Sequence, residues 1–376
     1  IIQLLNIKKI IIAITKCDLF PDEKEISLIE TDIRSLIKLK TSVANIKDNL
    51  PIIRIDDSIN SIDRLKKSIE KYLDDGKEQF LQNNPRLFVD RSFTLKGFGA
   101  VVTGTLTNGN LSVGDSIIIL PKKKSAKIRN MQVNGNDVKK GMANSRLAIN
   151  LQGINKEQIN RGDVIRPIQN DFIATKFDAS IRNISEKKII TNKKIMLHIG
   201  TTHSEARIKL LGIDELNKNI EGLCQIQLSQ PISINQFDNF IIRFSGETIA
   251  GGEILRTTTY KYNRFNEKEI YRLREISKRN VSEMILTAII DRKTIQEGNL
   301  SERVHMNLKE MKQNIDNLIR LNKITHYKFQ GNNFLAATET IEKLKKQVTL
   351  KMEKYFEKNK LKNSIHLREL TQKMNI

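Results

Sequence analysis

Arg86 to Leu120, RLFVDRSFTLKGFGAVVTGTLTNGNLSVGDSIIIL, is the stretch whose reading decides the fold. Apolar residues alternate with polar ones at Leu87, Val89, Phe93 and Leu95, and β-branched residues alternate through Val101, Thr103 and Thr105. A period of two is the pattern of a strand. Gly97, Gly99, Gly104, Gly109 and Gly114 punctuate the run where turns or bulges call for positive φ. Val113-Gly114-Asp115 then turns into Ile117–Leu120. Short strands broken this often predict a closed β-barrel. Gly99 and Gly104 have the spacing of a phosphate-binding loop, but Thr105 stands where its lysine would be, and the segment lies between strands. It is not a nucleotide cradle.

Downstream, Pro121-Lys122-Lys123-Lys124 reads as a basic turn, Ile128–Val133 as a strand, Lys139-Lys140-Gly141 as a turn and Ala148–Leu151 as a strand. Ile159-Asn160-Arg161-Gly162-Asp163-Val164-Ile165 closes this barrel. A second set of strands follows at Ala179–Ile184, Ile195–Ile199, Ala206–Leu211, Leu223–Leu228 and Phe240–Phe244, ending at Ile249–Leu255. His198 and His203 are the one close histidine pair; on a single strand their odd spacing puts them on opposite faces, so they read as structural or RNA-contacting and no metal site is expected. The period then becomes helical. Met284, Leu286, Ile289 and Ile290 mark one helix, Leu300-Ser301-Glu302 opens another, and Leu308, Met311, Ile315, Leu318, Ile319 and Leu321 stripe a third. Met306 and Met311 read as core. A hairpin around Gln330-Gly331-Asn332 follows, completing the plan of a winged helix. Ile341 to Phe356 begins a further helix.

Upstream, Ile10–Ile14 is a continuous apolar run, the pattern of a parallel strand buried on both faces. Thr15-Lys16-Cys17-Asp18 stands at its C-terminal end, where open α/β sheets bind ligands. A helix is expected from about Asp22 to Leu39, then the strand Ile52–Ile55 and an amphipathic segment from Ile62 to Tyr72.

The chain has 376 residues, with 64 Lys and Arg against 43 Asp and Glu, a net charge of +21. That balance suits a polyanion such as RNA or DNA; it also suits a lysine-rich proteome, because the charge is spread along the chain. Cys17 and Cys224 are too far apart in sequence to suggest a disulfide framework, which fits a reducing cytosol. No apolar run reaches membrane-spanning length and no signal peptide is present, so the expected location is cytoplasmic, with no membrane partner. The chain starts at Ile1 and stops inside a predicted helix, and is expected to be truncated at both ends.

Asp90-Arg91-Ser92-Phe93, Lys96-Gly97-Phe98-Gly99, Val102-Thr103-Gly104-Thr105 and the Ile159–Ile165 run resemble domain two of the translational GTPases, and within them the selenocysteine-specific elongation factors. The alternative is any barrel with glycine-rich turns. Thr15-Lys16-Cys17-Asp18 resembles the guanine-specificity element of the same GTPases. The resemblance implies that Asp18 accepts hydrogen bonds from guanine N1 and N2, that the Lys16 stem lies along the base and that Thr15 belongs to the same loop; Asp18 as a plain helix N-cap is the alternative. Ile55-Asp56-Asp57-Ser58 stands where the family has a Ser-Ala pair. No G-x-x-x-x-G-K-[ST] occurs in the chain, so tight GTP binding or hydrolysis by this stretch alone is not expected.

The resemblance further implies that Arg91 and Arg161 line an aminoacyl pocket, where always-charged guanidinium groups favour an ionised selenol over a neutral hydroxyl. The alternatives are that Arg91 pairs with Asp90 or another carboxylate and that Arg161 buttresses the barrel. Arg207 and Arg243, in a part resembling domain three, are candidate RNA contacts; surface or cross-strand ion pairs are the alternative. The implied fold class is multidomain: a partial P-loop GTPase-type α/β domain (1–83), two elongation-factor-type β-barrels (84–171 and 172–261), a winged helix (262–337) and the start of a second one (338–376). The implied function is translation elongation: delivery of selenocysteyl-tRNA to the ribosome at recoded UGA codons with GTP binding and hydrolysis, Mg2+ serving in the full-length protein. No catalytic residue falls in this stretch. The selenoprotein mRNA hairpin would be read by a part beyond Ile376, and a monomer is expected. The competing readings are a general translational GTPase, either an elongation or an initiation factor, and a non-catalytic RNA-binding barrel protein.

Overall fold

The computed structural model describes residues 1–376 apart from 3, 6, 8, 9, 20, 21, 41–49, 74–83, 96, 98, 169–172, 258–260, 305–307, 361–363, 367, 369, 371 and 373–376. Lys96, Phe98 and Met306 therefore lie outside the described residues. The chain divides into two compact units, Ile1–Arg264 and Phe265–Ile376.

The first unit begins with strand β1 (Ile12–Ile14), parallel to β2 (Ile52–Arg54) with Ile12 opposite Ile52. Parallel pairing needs a crossover, and helix α1 (Glu23–Lys40) lies within it. Helix α2 (Ile59–Leu73) follows β2. The apolar run at Ile10–Ile14 predicts a strand buried on both faces. Only three of its residues form strand, and Ala13 is exposed. The reason is that β2 is its single sheet neighbour among the described residues; full burial of a parallel strand takes a wider sheet with helices on both faces.

The first barrel comprises β3 (Arg86–Leu95), β4 (Gly99–Thr107), β5 (Ser116–Leu120), β6 (Lys124–Val133), β7 (Arg146–Gln152) and β8 (Val164–Pro167). They pair in the order β7-β4-β3-β8-β5-β6, and β6 returns to β7, so the ring closes. Leu87, Val89, Val102, Ile117 and Ile149 fill it. Along β3, Val89 sits opposite Gly104 and Arg91 opposite Thr103, which leaves Asp90 as an extra residue, a bulge. The bulge shifts the alternation by one. The sequence pattern places Leu87, Val89, Phe93 and Leu95 on one face; instead Leu87 and Val89 are core, while Phe93 and Leu95 are 39% and 47% exposed. They share the outer face with Arg91. Gly97, Gly99, Gly109 and Gly114 have the expected positive φ. Gly104 does not, and is required by space: a Cβ there would stand 2.2 Å from the Phe88 carbonyl oxygen.

The second barrel comprises β9 (Ile173–Asn183), β10 (Lys194–Ile199), β11 (Thr202–Leu211), β12 (Glu221–Ser233), β13 (Asn239–Phe244) and β14 (Glu247–Thr257). It closes in the order β9-β12-β11-β10-β13-β14 around a core in which Phe177 meets Phe240 edge-on. His198 and His203 do not lie on one strand. The tight turn at Gly200 makes them cross-strand partners, their ring centroids 5.9 Å apart.

A buried polar seam joins the barrels. Arg86 Nη1 donates to Asp238 Oδ2 at 2.6 Å, and Nη2 donates to Oδ1 of the same carboxylate. Arg166 is fully buried and donates to Asn235 Oδ1 at 2.6 Å and to Asn84 Oδ1 at 3.4 Å. Burial and the neighbouring Arg86 charge push the Arg166 guanidinium down to about 9, so it stays charged at neutral pH. Thr201 Oγ1, on the β10–β11 turn, donates to Val89 O at 2.8 Å.

The second unit contains α3 (Glu267–Ser277), α4 (Val281–Arg292), β15 (Thr294–Gln296), α5 (Glu297–Val304), α6 (Leu308–Arg320), β16 (Ile324–Phe329), β17 (Asn332–Ala337) and α7 (Thr338–Lys358). Asn266 and Asn280 cap α3 and α4, their side chains accepting from Glu269 N and Glu283 N. Met311 is core, at 2% exposure. The sequence predicts a two-stranded wing. The sheet has three strands, in the order β15-β17-β16. Thr294-Ile295-Gln296 is too short to show a period, and it becomes a strand by pairing with Phe334–Ala336.

Candidate functional site

Two places bring the candidate residues together. The first is the carboxyl end of β1. Cys17 N donates to Ile55 O at 3.1 Å and Ile55 N to Ile14 O at 2.8 Å, which stitches the Thr15–Asp18 loop to the end of β2. Thr15, Lys16 and Asp18 are exposed, and Lys16 adopts φ +63. The Asp18 carboxylate accepts no hydrogen bond among the described residues. Capping of α1 falls to Asp22 instead, whose Oδ1 accepts from Lys24 N at 2.8 Å. Asp18 is thus a carboxylate left open, the property a guanine acceptor needs. At the end of β2, Asp56 accepts from Ser58 N at 2.9 Å and from Ser58 Oγ, and these bonds hold its carboxyl below the usual range. It is a turn-former at the start of α2. Among the described residues no group of three His, Cys, Asp or Glu is placed to hold a metal.

The second place is the outer rim of the first barrel. Arg91 follows the bulge, exposed, and makes no ion pair among the described residues. Its neighbour Asp90 is taken up elsewhere: Thr103 Oγ1 donates to it at 2.6 Å and Arg146 Nη1 pairs with it at 2.6 Å. Partial burial pushes the Asp90 carboxyl up. The bonds from Thr103 and Arg146 outweigh this and hold it below its ordinary value. Arg161, also exposed, rides on a loop fixed to the strand that carries Arg91. Gly162 N donates to Val89 O at 2.9 Å and Ser92 Oγ to Ile159 O at 3.1 Å. Asp163 accepts from Asn160 N at 2.7 Å and from Lys122 Nζ at 2.9 Å. Gly162 has φ +93, and a Cβ there would stand 2.9 Å from Thr202 Oγ1, so only glycine fits. The backbone therefore carries Arg91 and Arg161 along one seam, with exposed Phe93 and Leu95 continuing the strand beside Arg91.

Arg207 and Arg243 are separate from this rim. Arg207 is exposed on β11, opposite Lys194 and Gln227, so no carboxylate stands across from it. Arg243 donates to Gly246 O in its own turn. Sequence reasoning missed the Asp90–Arg146 pair and the Lys122 anchor. A bulge has no local sequence signature, and Lys122 and Asp163 lie on different elements, 41 residues apart.

Residues 99–166 match the family described as elongation factor Tu domain 2, and residues 178–261 match selenocysteine-specific elongation factor, beta-barrel domain. A selenocysteine-specific elongation factor from Desulfomicrobium baculatum is 27% identical over 294 residues, 77% of this chain and 45% of that protein. The chain is thus similar, over most of its length, to a selenocysteine-specific elongation factor. Further selenocysteine-specific elongation factors, from Methanocaldococcus jannaschii and Escherichia coli, are 27% and 26% identical over 259 residues each, covering 54% and 39% of their lengths. The chain thus spans about half the length of the curated relatives it matches. The crystal structure of a bacterial selenocysteine-specific elongation factor, EF-Sec, shares the fold, with a TM-score of 0.74 over 98% of this chain and 58% of that one at 20% identity. The apo form of the elongation factor SelB from Methanococcus maripaludis gives 0.56 over 65% of this chain and 59% of that one at 25% identity, and the same factor is known in complex with the GTP analogue GppNHp.

Proposed function

We propose that this chain is part of a translation elongation factor that at full length binds GTP and selenocysteyl-tRNA, delivers the tRNA to the ribosome at recoded UGA codons, and hydrolyses GTP with Mg2+, while the present stretch alone is inactive as a GTP hydrolase. In this reading residues 1–83 belong to the nucleotide domain, 84–171 and 172–261 are the two barrels, 262–337 are a winged helix and 338–376 begin a second. Asp18 selects guanine, with Lys16 along the base and Thr15 in the same loop. Arg91 and Arg161 receive the amino acid, and Arg207 and Arg243 face the tRNA. GTP hydrolysis is assigned to no residue of this chain. A cytoplasmic monomer that also engages a selenoprotein mRNA hairpin completes the proposal. No described helix is long and apolar enough to cross a membrane.

The observation that carries the reading is the exposed Arg91 guanidinium, whose neighbouring carboxylate is already satisfied by Arg146 and Thr103. A selenol is ionised at neutral pH and a serine hydroxyl is not, so a guanidinium that keeps its donors open discriminates between them. In the full-length protein with GTP, selenocysteyl-tRNA is expected to bind more tightly than the same tRNA charged with serine. Arg91→Ala is expected to remove at least about tenfold of that preference, the value of one hydrogen bond to a charged group. Equal affinity of the unaltered protein for both charged tRNAs overturns the assignment.

A further inference from the structure

Arg161 sits in a turn whose backbone is tied on every side. Ile159 N donates to Lys156 O at 3.0 Å, after the short 3-10 turn Lys156–Gln158, and Asp163 N donates to Asn160 O at 3.1 Å. Gly162 N reaches across to Val89 O. Behind these bonds stands one cation from a different part of the barrel. Lys122 lies in the basic turn between β5 and β6. Its ammonium donates to Gln158 O at 3.0 Å and to Asp163 Oδ2 at 2.9 Å. These two acceptors bracket Ile159-Asn160-Arg161-Gly162, so a single ammonium holds both ends of the turn. The same Asp163 oxygen accepts from the N–H of Asn160, the residue before Arg161, at 2.7 Å.

An exposed lysine pair contributes little, but this pair is not exposed. The Asp163 side chain is 6% exposed and that of Lys122 30%. Among the described residues Lys122 is the one cation paired with this carboxylate. A buried carboxylate that loses its cation carries an uncompensated charge, and turning out to water relieves it. That movement would take the Asn160 bond with it and free the backbone on both sides of Arg161. Gln158 O is the last carbonyl of its 3-10 turn, a group that helical bonding leaves without a donor; Lys122 supplies one. Lys124, two residues on, is the contrast. It is exposed and makes no ion pair among the described residues, so its charge is free of any such duty.

We propose that Lys122 is a positioning residue of the rim: it sets the place of Arg161, and so its spacing from Arg91, without itself touching the amino acid. The inference rests on the reading of Arg161 as a residue that receives the amino acid. The first measurement needs no tRNA. It is hydrogen exchange of the full chain, followed by mass spectrometry on peptides covering residues 156–163. Lys122→Met, which keeps the length of the stem and removes the donors, is expected to speed exchange there about tenfold or more and to leave β4 unchanged. Lys122→Arg, which restores a cation with donors for both acceptors, is expected to return exchange towards the parent. Lys124→Met removes the same charge and is expected to change nothing. The second measurement is the preference of the full-length protein with GTP for selenocysteyl-tRNA over the same tRNA charged with serine. Lys122→Met is expected to lower that preference about threefold or more at unchanged affinity for the serine-charged tRNA. The double variant with Arg161→Ala is expected to do no worse than Arg161→Ala alone, because the two act through one side chain. Unchanged exchange at 156–163 in Lys122→Met, or a loss that adds to that of Arg161→Ala, overturns the proposal. Opening of β4 overturns it too, since Lys122 would then fasten the whole barrel. Equal affinity of the parent for the two tRNAs, together with faster exchange in Lys122→Met, defeats the tRNA reading alone and leaves Lys122 as the holder of the turn.

Discussion

The first barrel carries two arginines on its outer rim and two in its seam with the second barrel, and the two pairs are treated in opposite ways. Arg91 and Arg161 stand exposed and make no hydrogen bond or ion pair with their guanidinium groups among the described residues. Arg86 and Arg166 are buried, one held by the Asp238 carboxylate and the other donating to Asn84 and Asn235. The same side chain thus stays available to a ligand where water reaches it, and works as a fastener where water is already gone. The deciding variable is the state of the nearest carboxylate. Asp238 is turned onto Arg86, whereas Asp90 is drawn away from Arg91 by Arg146.

The sharpest way to break this contrast is in the seam. Asp238→Ala leaves the Arg86 charge buried and unpaired, and is expected to destabilise the first unit by about 3–5 kcal/mol in urea unfolding. A loss under about 1 kcal/mol would mean that water reaches the seam. Arg146→Ala removes an ion pair whose arginine is 57% exposed, and is expected to cost less than about 1 kcal/mol by the same measurement. Its informative effect is on the rim: Asp90 becomes available to Arg91, so preference for selenocysteyl-tRNA should fall although neither rim arginine has changed. Acid titration gives a smaller signal. The folded Asp90 carboxyl lies below its ordinary value of 3.8, so its contribution to stability is present above that value and is lost as pH falls through the lower folded one. Asp90→Asn is expected to flatten this part of the stability profile. Smallest of all, Arg91→Ala is expected to leave stability within about 0.5 kcal/mol of the parent. A larger loss would place Arg91 with the fasteners.

The barrels were legible because period-two alternation and glycine spacing are local signals, and the Asp90–Phe93 and Ile159–Ile165 runs carried the rim arginines. The seam was not legible. Arg86 and Asp238 lie 152 residues apart, and neither is remarkable in its own segment. The outward turn of Phe93 and Leu95 was not legible, because one inserted residue reverses every side chain after it. Gly104 was correctly singled out for the wrong reason: its constraint is a neighbouring strand, not its own φ. The third wing strand escaped because three residues cannot establish a period. The sequence leaves two roles for Asp18, and the structure gives the capping of the following helix to Asp22.

One carbonyl connects the arginine rim to the second barrel. Val89 O accepts both Gly162 N, from the loop that bears Arg161, and Thr201 Oγ1, from the turn of the second barrel. Two residues further along the same strand is Arg91. Any tilt of one barrel against the other must therefore pull on the rim that bears Arg91 and Arg161. The rim of the first barrel and the posture of the second are geared together through that oxygen atom.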